Sequence, residues 1–185
     1  SEMCIRDRSL GIDNYTTANN VLLRDNGYTS GEWDGSTYTA YTIANTTGMV
    51  YGKYNIYYKD HWFKAGVSGY ESVLYYSVVN GAYGGIKDFA SYGSGSKFVG
   101  KDDGDVITGL FPLGDRLLVF KRYSTYALVG SDPASWLIRP LSKEIGCLYQ
   151  STIALYNNLP IFLSWRGIEI YDGTNFNLIS IPVDL

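Results

Sequence analysis

Short apolar and aromatic runs alternate with polar turn residues along most of the chain. The runs are rich in β-branched and aromatic residues and are bounded by Gly, Asn, Asp or Pro, as is typical of strands joined by tight turns. No long segment carries the i, i+3, i+4, i+7 apolar spacing of an amphipathic helix. The pattern predicts strands over Tyr54–Tyr58, His61–Ala65, Ser72–Val78, Val106–Phe111, Arg116–Lys121, Ser124–Val129, Ser151–Tyr156, Pro160–Ser164, Gly167–Tyr171 and Phe176–Ile181.

Two distant segments share one residue pattern. Trp33–Ile43 and Tyr171–Ile181 each contain an aromatic residue, an Asp-Gly turn and a strand with one apolar face. They lie 138 residues apart, which is three steps of 46, and the strand opening at Ile107 recurs 46 residues later at Ile153. A four-stranded propeller blade occupies about 40–50 residues. The sequence therefore predicts an all-β fold of consecutive four-stranded antiparallel blades of a β-propeller. A β-sandwich is the alternative, but a sandwich gives no reason for this period.

The repeat divides the chain into blade units at 10–48, 49–104, 105–146 and 147–185, the first holding only the outer part of a blade. A Gly/Ser-rich stretch, Ser91–Ser96, lengthens the second unit and predicts a loop. Residues 1–9 resemble a translated sequencing adapter and are left out of the fold reasoning. We expect an incomplete propeller, an open arc. Cys147 is then the single native cysteine, predicted to be a small buried side chain.

Composition excludes several function classes. The net charge is −3 and the 15 basic residues are scattered, which argues against a nucleic-acid partner. No apolar run is long enough to predict a membrane-spanning helix. Two cysteines are too few for a disulfide framework.

No catalytic constellation is visible. His61 is the one histidine, so zinc-ligand spacing is absent, and no Gly-x-Ser-x-Gly motif occurs. We expect His61 to be a strand side chain at a blade edge. Gly130–Trp136 is similar to the Asp-box turn of sialidase-like propellers, but it lacks the Gly and Thr of that motif. The sequence predicts a protein that is not an enzyme and has no cofactor.

Two groups of residues are candidates for binding. Asp102, Asp103 and Asp105 surround a glycine and form a weak candidate for Ca²⁺, although a solvated inter-blade turn is the preferred explanation. Loop tyrosines form the candidate partner surface, because Tyr is favoured at interfaces: Tyr70, Tyr83 and Tyr92. Tyr57 and Tyr75, in contrast, are predicted to pack between sheets.

From about Tyr54 onward the chain resembles β-propeller proteins of tailed-bacteriophage virions, found at the neck, tail or baseplate. The motifs that carry the resemblance are Trp62–Gly66, Val73–Ser77, Asp102–Leu110, Asp115–Lys121, Tyr126–Gly130, Gly146–Cys147, Ser151–Ile153, Phe162–Ile168 and Ile170–Gly173. The resemblance implies a non-catalytic structural component of a phage particle that binds other virion proteins, with a homo-oligomeric ring as one arrangement. It implies a virion location after assembly in the bacterial cytoplasm. A glycan-binding propeller, lectin-like or receptor-binding, is the alternative, and a glycosidase-like propeller ranks third.

Overall fold

The computed structural model describes residues 13–18, 20–42, 45–82 and 85–180. These residues form sixteen strands in four separate four-stranded sheets, with two short 3₁₀ turns. Within each sheet the strands lie side by side in chain order. The predicted all-β fold and the repeat of four-stranded antiparallel sheets are therefore confirmed for the described residues.

The bounds of the elements are as follows. Sheet 1 comprises β1 (Asn14–Ala18), β2 (Val21–Asp25), β3 (Ser30–Trp33) and β4 (Tyr38–Ala40). Sheet 2 comprises β5 (Tyr54–Tyr58), β6 (His61–Ala65), β7 (Val73–Tyr76) and β8 (Gly95–Phe98). Sheet 3 comprises β9 (Ile107–Leu113), β10 (Arg116–Lys121), β11 (Thr125–Val129) and β12 (Leu137–Ser142). Sheet 4 comprises β13 (Ala154–Tyr156), β14 (Leu159–Ser164), β15 (Gly167–Tyr171) and β16 (Phe176–Leu178), and the 3₁₀ turns span Gly85–Lys87 and Gln150–Thr152.

Strands β5, β6, β10 and β15 have the predicted bounds, whereas the first part of the chain differs from its prediction. Residues 14–40 form a complete four-stranded sheet, so the expectation of a partial blade there was wrong. Strand β12 contains Pro140 and was not predicted, but a proline is tolerated in an edge strand, where one side of the backbone needs no partner. Residues 1–9, Ile43 and Ile181 lie outside the described residues.

The chain forms two compact units, one up to Lys97 and one from Phe98 onward. In the first unit, Leu23 and Tyr41 from the region of sheet 1 pack against Trp62 of sheet 2, with the Tyr41 and Trp62 rings edge-on at 5.8 Å. The first strands of the two sheets are also joined by hydrogen bonds. Asn55 Nδ2 donates to the Asn14 carbonyl at 2.9 Å, and the Tyr57 amide donates to a threonine hydroxyl, Thr16 Oγ1, at 3.0 Å. Sheets 1 and 2 therefore share one core.

In the second unit, sheets 3 and 4 share another core. Leu118 and Phe120 of β10 pack against Phe162 of β14, with the two phenylalanine rings 4.7 Å apart. Cys147 is buried in the same core, as predicted, and burial raises the pKa of its thiol. Gln150 extends the sheet contact, because its side chain accepts from the Leu110 amide at 2.7 Å and donates to the Leu110 carbonyl at 3.0 Å.

The turn between the third and fourth strands has the same construction in sheets 1, 3 and 4. Each turn contains an aspartate whose Oδ1 accepts hydrogen bonds from the amides two and three residues later: Asp34, Asp132 and Asp172. Gly35 and Gly173 follow two of these aspartates with φ of 100° and 99°, a backbone conformation that favours glycine. The two segments that predicted the repeat thus occupy the same place in sheets 1 and 4.

Candidate functional site

The described tyrosines of the predicted partner surface are exposed but do not contact one another. Tyr92 is 97% exposed in the long connection between β7 and β8. Tyr70 is 59% exposed in the β6–β7 connection, where its ring meets Tyr75 edge-on at 6.5 Å. Among the described residues no ring contact joins Tyr70 to Tyr92, and Tyr83 lies outside the described residues. Tyr70 and Tyr92 are accessible to a partner, but they do not form one cluster through contacts of their own.

The aspartate cluster is bonded to the protein itself. Asp105 Oδ1 accepts from the amides of Val106 and Arg122, and Asp105 Oδ2 accepts from the Tyr123 amide and a serine hydroxyl, Ser124 Oγ, at 2.9–3.0 Å. Through these bonds Asp105 caps the turn between β10 and β11. Asp102 has a left-handed backbone with φ of 61°.

Asp103 forms an ion pair with Lys121, and this pairing helps to keep the pKa of the Asp103 carboxyl below its usual range against the opposing effect of desolvation. Across the described ranges, no three His, Cys, Asp or Glu side chains are grouped as they would be around a metal ion. The oxygens that made Asp103 and Asp105 candidates for Ca²⁺ are thus engaged with Lys121 and with backbone amides.

Two buried lysines were not anticipated from the sequence. Lys64 in β6 and Lys121 in β10 are each 0% exposed and lie on the second strand of their sheets. Lys64 Nζ donates to the Val50 carbonyl at 2.8 Å, and Lys121 Nζ donates to the Val99 carbonyl at 3.0 Å. Each ammonium also pairs with a carboxylate and lies near an aromatic ring. In the sequence, each of these lysines stands within a mostly apolar strand, at a position where the alternation predicts a buried side chain. Such a position indicates a buried cation only when the partners of the lysine are known.

The surroundings of His61 are those of a residue with a structural role. It is the first residue of β6, an inner strand of sheet 2, so its predicted position at a blade edge was wrong. Its Nδ1 lies 2.6 Å from the Ser77 carbonyl, and its ring contacts Tyr76 edge-on at 6.1 Å. Burial lowers the pKa of His61, although the Ser77 carbonyl opposes this effect.

Sheet 4 has one buried face and one face that the described residues cover only in part. Phe162 and Tyr171 lie on the face that packs in the core shared with sheet 3. Residues directly opposite in neighbouring strands project to the same side of a sheet, and the register places six large apolar residues together on the other side: Tyr156, Leu159, Ile161, Leu163, Ile168 and Ile170. We call these six residues the outer face of sheet 4. Ile168 is 43% exposed, Tyr156 is 60% exposed, and the other four are partly buried.

Within the part of the chain that the structure describes, no helix is long and apolar enough to cross a membrane. No protein-family model and no curated protein matches the chain. The structure is similar to the extracellular domains of a putative hybrid two-component system and of a putative one-component system, both from B. thetaiotaomicron, with TM-scores of 0.59 and 0.57 at 11% identity. Each similarity covers 91% of this chain but 22% of the other chain, so this chain spans about a fifth of their length. At this identity the likeness shows a shared all-β fold and nothing about function.

Proposed function

We propose that the four sheets are consecutive blades of a β-propeller and that the chain is a non-catalytic protein-interaction scaffold. The observation that carries the proposal is the outer face of sheet 4. Leu118 and Phe120 alternate on β10 and pack against sheet 4, and Ile161 and Leu163 alternate in the same way on β14. The free energy falls when a second surface removes such apolar side chains from water. The occupant we infer is another four-stranded sheet, docked as sheet 4 is docked on sheet 3.

The oligomeric state of the full chain tests this proposal. We expect sedimentation velocity to show concentration-dependent association through the outer face of sheet 4. An Ile168→Lys variant should weaken this association about tenfold or more, since a buried Ile contributes about 1.5–3 kcal/mol. Val79→Lys is the matched control, because Val79 has a similar exposure of 39% and lies outside this face.

Two results would count against the scaffold. One is a monomer at every concentration. The other is association that Ile168→Lys leaves unchanged. The thermal midpoint of each variant separates a lost interface from a lost fold.

The narrower form of the proposal is a structural protein of a tailed-phage neck, tail or baseplate. Its support is the order of motifs from Trp62 to Gly173. Genes flanking the complete reading frame test it independently of the association experiment. Portal, terminase or tail genes are the expected neighbours, and genes for sugar metabolism or secretion would overturn the virion assignment.

A further inference from the structure

An open pocket of about 500 Å³ lies in the first unit, between sheet 1 and strand β5. Thr17 of β1, Leu22 of β2 and Trp33 of β3 line it, and the strand register places these three residues directly opposite one another. They therefore project on the same side of sheet 1 as one continuous row. Tyr57 reaches the pocket from β5, and Asn20 reaches it from the β1–β2 turn.

The two aromatic residues of the pocket are held differently. The Tyr57 hydroxyl donates to Asp60 Oδ1 at 3.0 Å and accepts from Asn80 Nδ2 at 3.1 Å, which fixes the position of its ring. Trp33 is anchored by its strand and is partly exposed. The pocket thus combines one fixed phenol ring with an indole that solvent can reach.

Three polar groups in the pocket have no hydrogen-bond partner among the described residues, and Thr17 and Asn20 are exposed: Thr17 Oγ1, the Asn20 side-chain amide and Trp33 Nε1. No Lys, Arg, Asp or Glu is among the described residues that line it. A pocket with aromatic faces and uncharged donors and acceptors suits a ligand that has both apolar C–H surface and hydroxyl groups. It does not suit a phosphate or carboxylate, which would need a cation or a cluster of amides.

We propose that this pocket binds a neutral oligosaccharide. The aromatic rings offer apolar surface to the C–H face of a pyranose, and the three unpaired groups bond to its hydroxyls. Asn20 has a left-handed backbone with φ of 67°, a conformation that asparagine tolerates, and its short side chain carries the amide close to the backbone. This inference is independent of the scaffold proposal, because it uses sheet 1 and β5 and none of the residues of the outer face of sheet 4.

The indole N–H signals of the four tryptophans provide the test by ¹⁵N–¹H NMR on the full chain. The probes are maltotriose, cellotriose and triacetylchitotriose, each titrated into the millimolar range. We expect a saturable shift of the Trp33 indole signal with at least one of these sugars. The signal of Trp62, which is buried in the same unit, should stay in place and report an intact fold.

Three variants sharpen the result. Trp33→Ala should abolish binding, followed through backbone amide shifts in sheet 1. Asn20→Gly keeps the left-handed turn and removes the amide, so affinity should fall about three- to tenfold for a lost hydrogen bond. Trp165→Ala is the matched control, because Trp165 is an exposed indole in the other unit. The proposal is overturned by the absence of a saturable shift with all three sugars, by binding that survives Trp33→Ala, or by binding that Trp165→Ala removes.

Discussion

Lys64 and Asp25 form an ion pair in which neither side chain reaches solvent, with 2.6 Å between Nζ and Oδ2. The pair joins β6 of sheet 2 to β2 of sheet 1. The ammonium also donates to Ser30 Oγ at 2.8 Å and lies 3.7 Å from the centre of the Trp62 ring. Burial lowers the pKa of Lys64 to about 8, and the Asp25 carboxylate opposes that effect. The charge is thus tolerated in the core only because several groups from both sheets solvate it.

Removing one partner of this pair should destabilise the first unit strongly. Lys64→Met leaves the Asp25 carboxylate buried without its cation, so we expect a loss of about 3–5 kcal/mol in the free energy of unfolding. The double variant Lys64→Met/Asp25→Leu should recover much of that loss, because no unpaired charge remains. Urea unfolding of both variants, with Lys53→Met as an exposed-lysine control, measures the difference. Equal stability of Lys64→Met and Lys53→Met would contradict the assignment.

The turn aspartates should titrate below the usual aspartate range. Backbone amide bonds, from Thr37 and Ser36 to Asp34 and from Asn175 and Thr174 to Asp172, lower the pKa of each carboxyl below 3.8. Carbonyl-detected NMR titration should therefore show each carboxyl more than half ionised at pH 3.8. A midpoint at or above 3.8 for Asp172 would show that these hydrogen bonds do not form in solution.

The same shift has a consequence for stability against pH. The folded pKa of Asp172 is lower than the unfolded pKa, so the unfolded chain binds more protons in the interval between them. The stability that the carboxylate contributes is present above pH 3.8 and is lost as the pH falls through the folded value. Asp172→Asn keeps an acceptor oxygen but does not titrate. The difference in the free energy of unfolding between this variant and the natural chain should therefore narrow as the pH falls from 3.8 through the folded pKa of Asp172.

Asp105 should act as a turn cap rather than as a metal ligand. In Asp105→Asn one of the two acceptor oxygens becomes an amide that faces hydrogen-bond donors, so we expect a loss of about 1–3 kcal/mol. Asp102→Asn is the matched control, because asparagine tolerates the left-handed backbone at that position. Calorimetry with millimolar Ca²⁺ should give no binding heat. Heat that disappears in the Asp102→Ala/Asp103→Ala/Asp105→Ala variant would restore the metal interpretation.

Gly146 marks a close approach between backbones. A Cβ at this position would lie 2.2 Å from the Lys121 carbonyl oxygen, which accepts a hydrogen bond from the Cys147 amide. At Gly109 a Cβ would come closest to the ends of the Ile153 and Gln150 side chains, at 2.9 and 3.0 Å, and the nearest backbone atom, the Gln150 Cα, would lie at an ordinary contact distance of 3.6 Å. Gly146→Ala should therefore cost more than the about 1–3 kcal/mol of ordinary overpacking, and Gly109→Ala should cost less than Gly146→Ala. Thermal unfolding of the two variants compares them directly, and the reverse order would contradict this account.

Local features of the sequence determined the all-β class, the bounds of four of the strands and the Asp-Gly turns. The alternation of a strand depends only on neighbouring residues, and so does the hydrogen bonding of an aspartate to nearby amides. The turn at Tyr171–Gly173 could therefore be predicted from the sequence alone. Strand β12 was missed because Pro140 opposes a strand locally, and only its place at a sheet edge permits it.

The tertiary structure alone decided which charges are buried and which apolar surface stays open. Lysine is usually a surface residue. The burial of Lys64 and Lys121 depends on carboxylates and carbonyls that other segments supply. Ile161 and Phe162 are apolar neighbours on one strand, yet Phe162 is fully buried whereas Ile161 is only partly buried. A side chain's own chemistry sets what its burial would gain or cost, whereas the packing of other segments around it decides whether burial occurs.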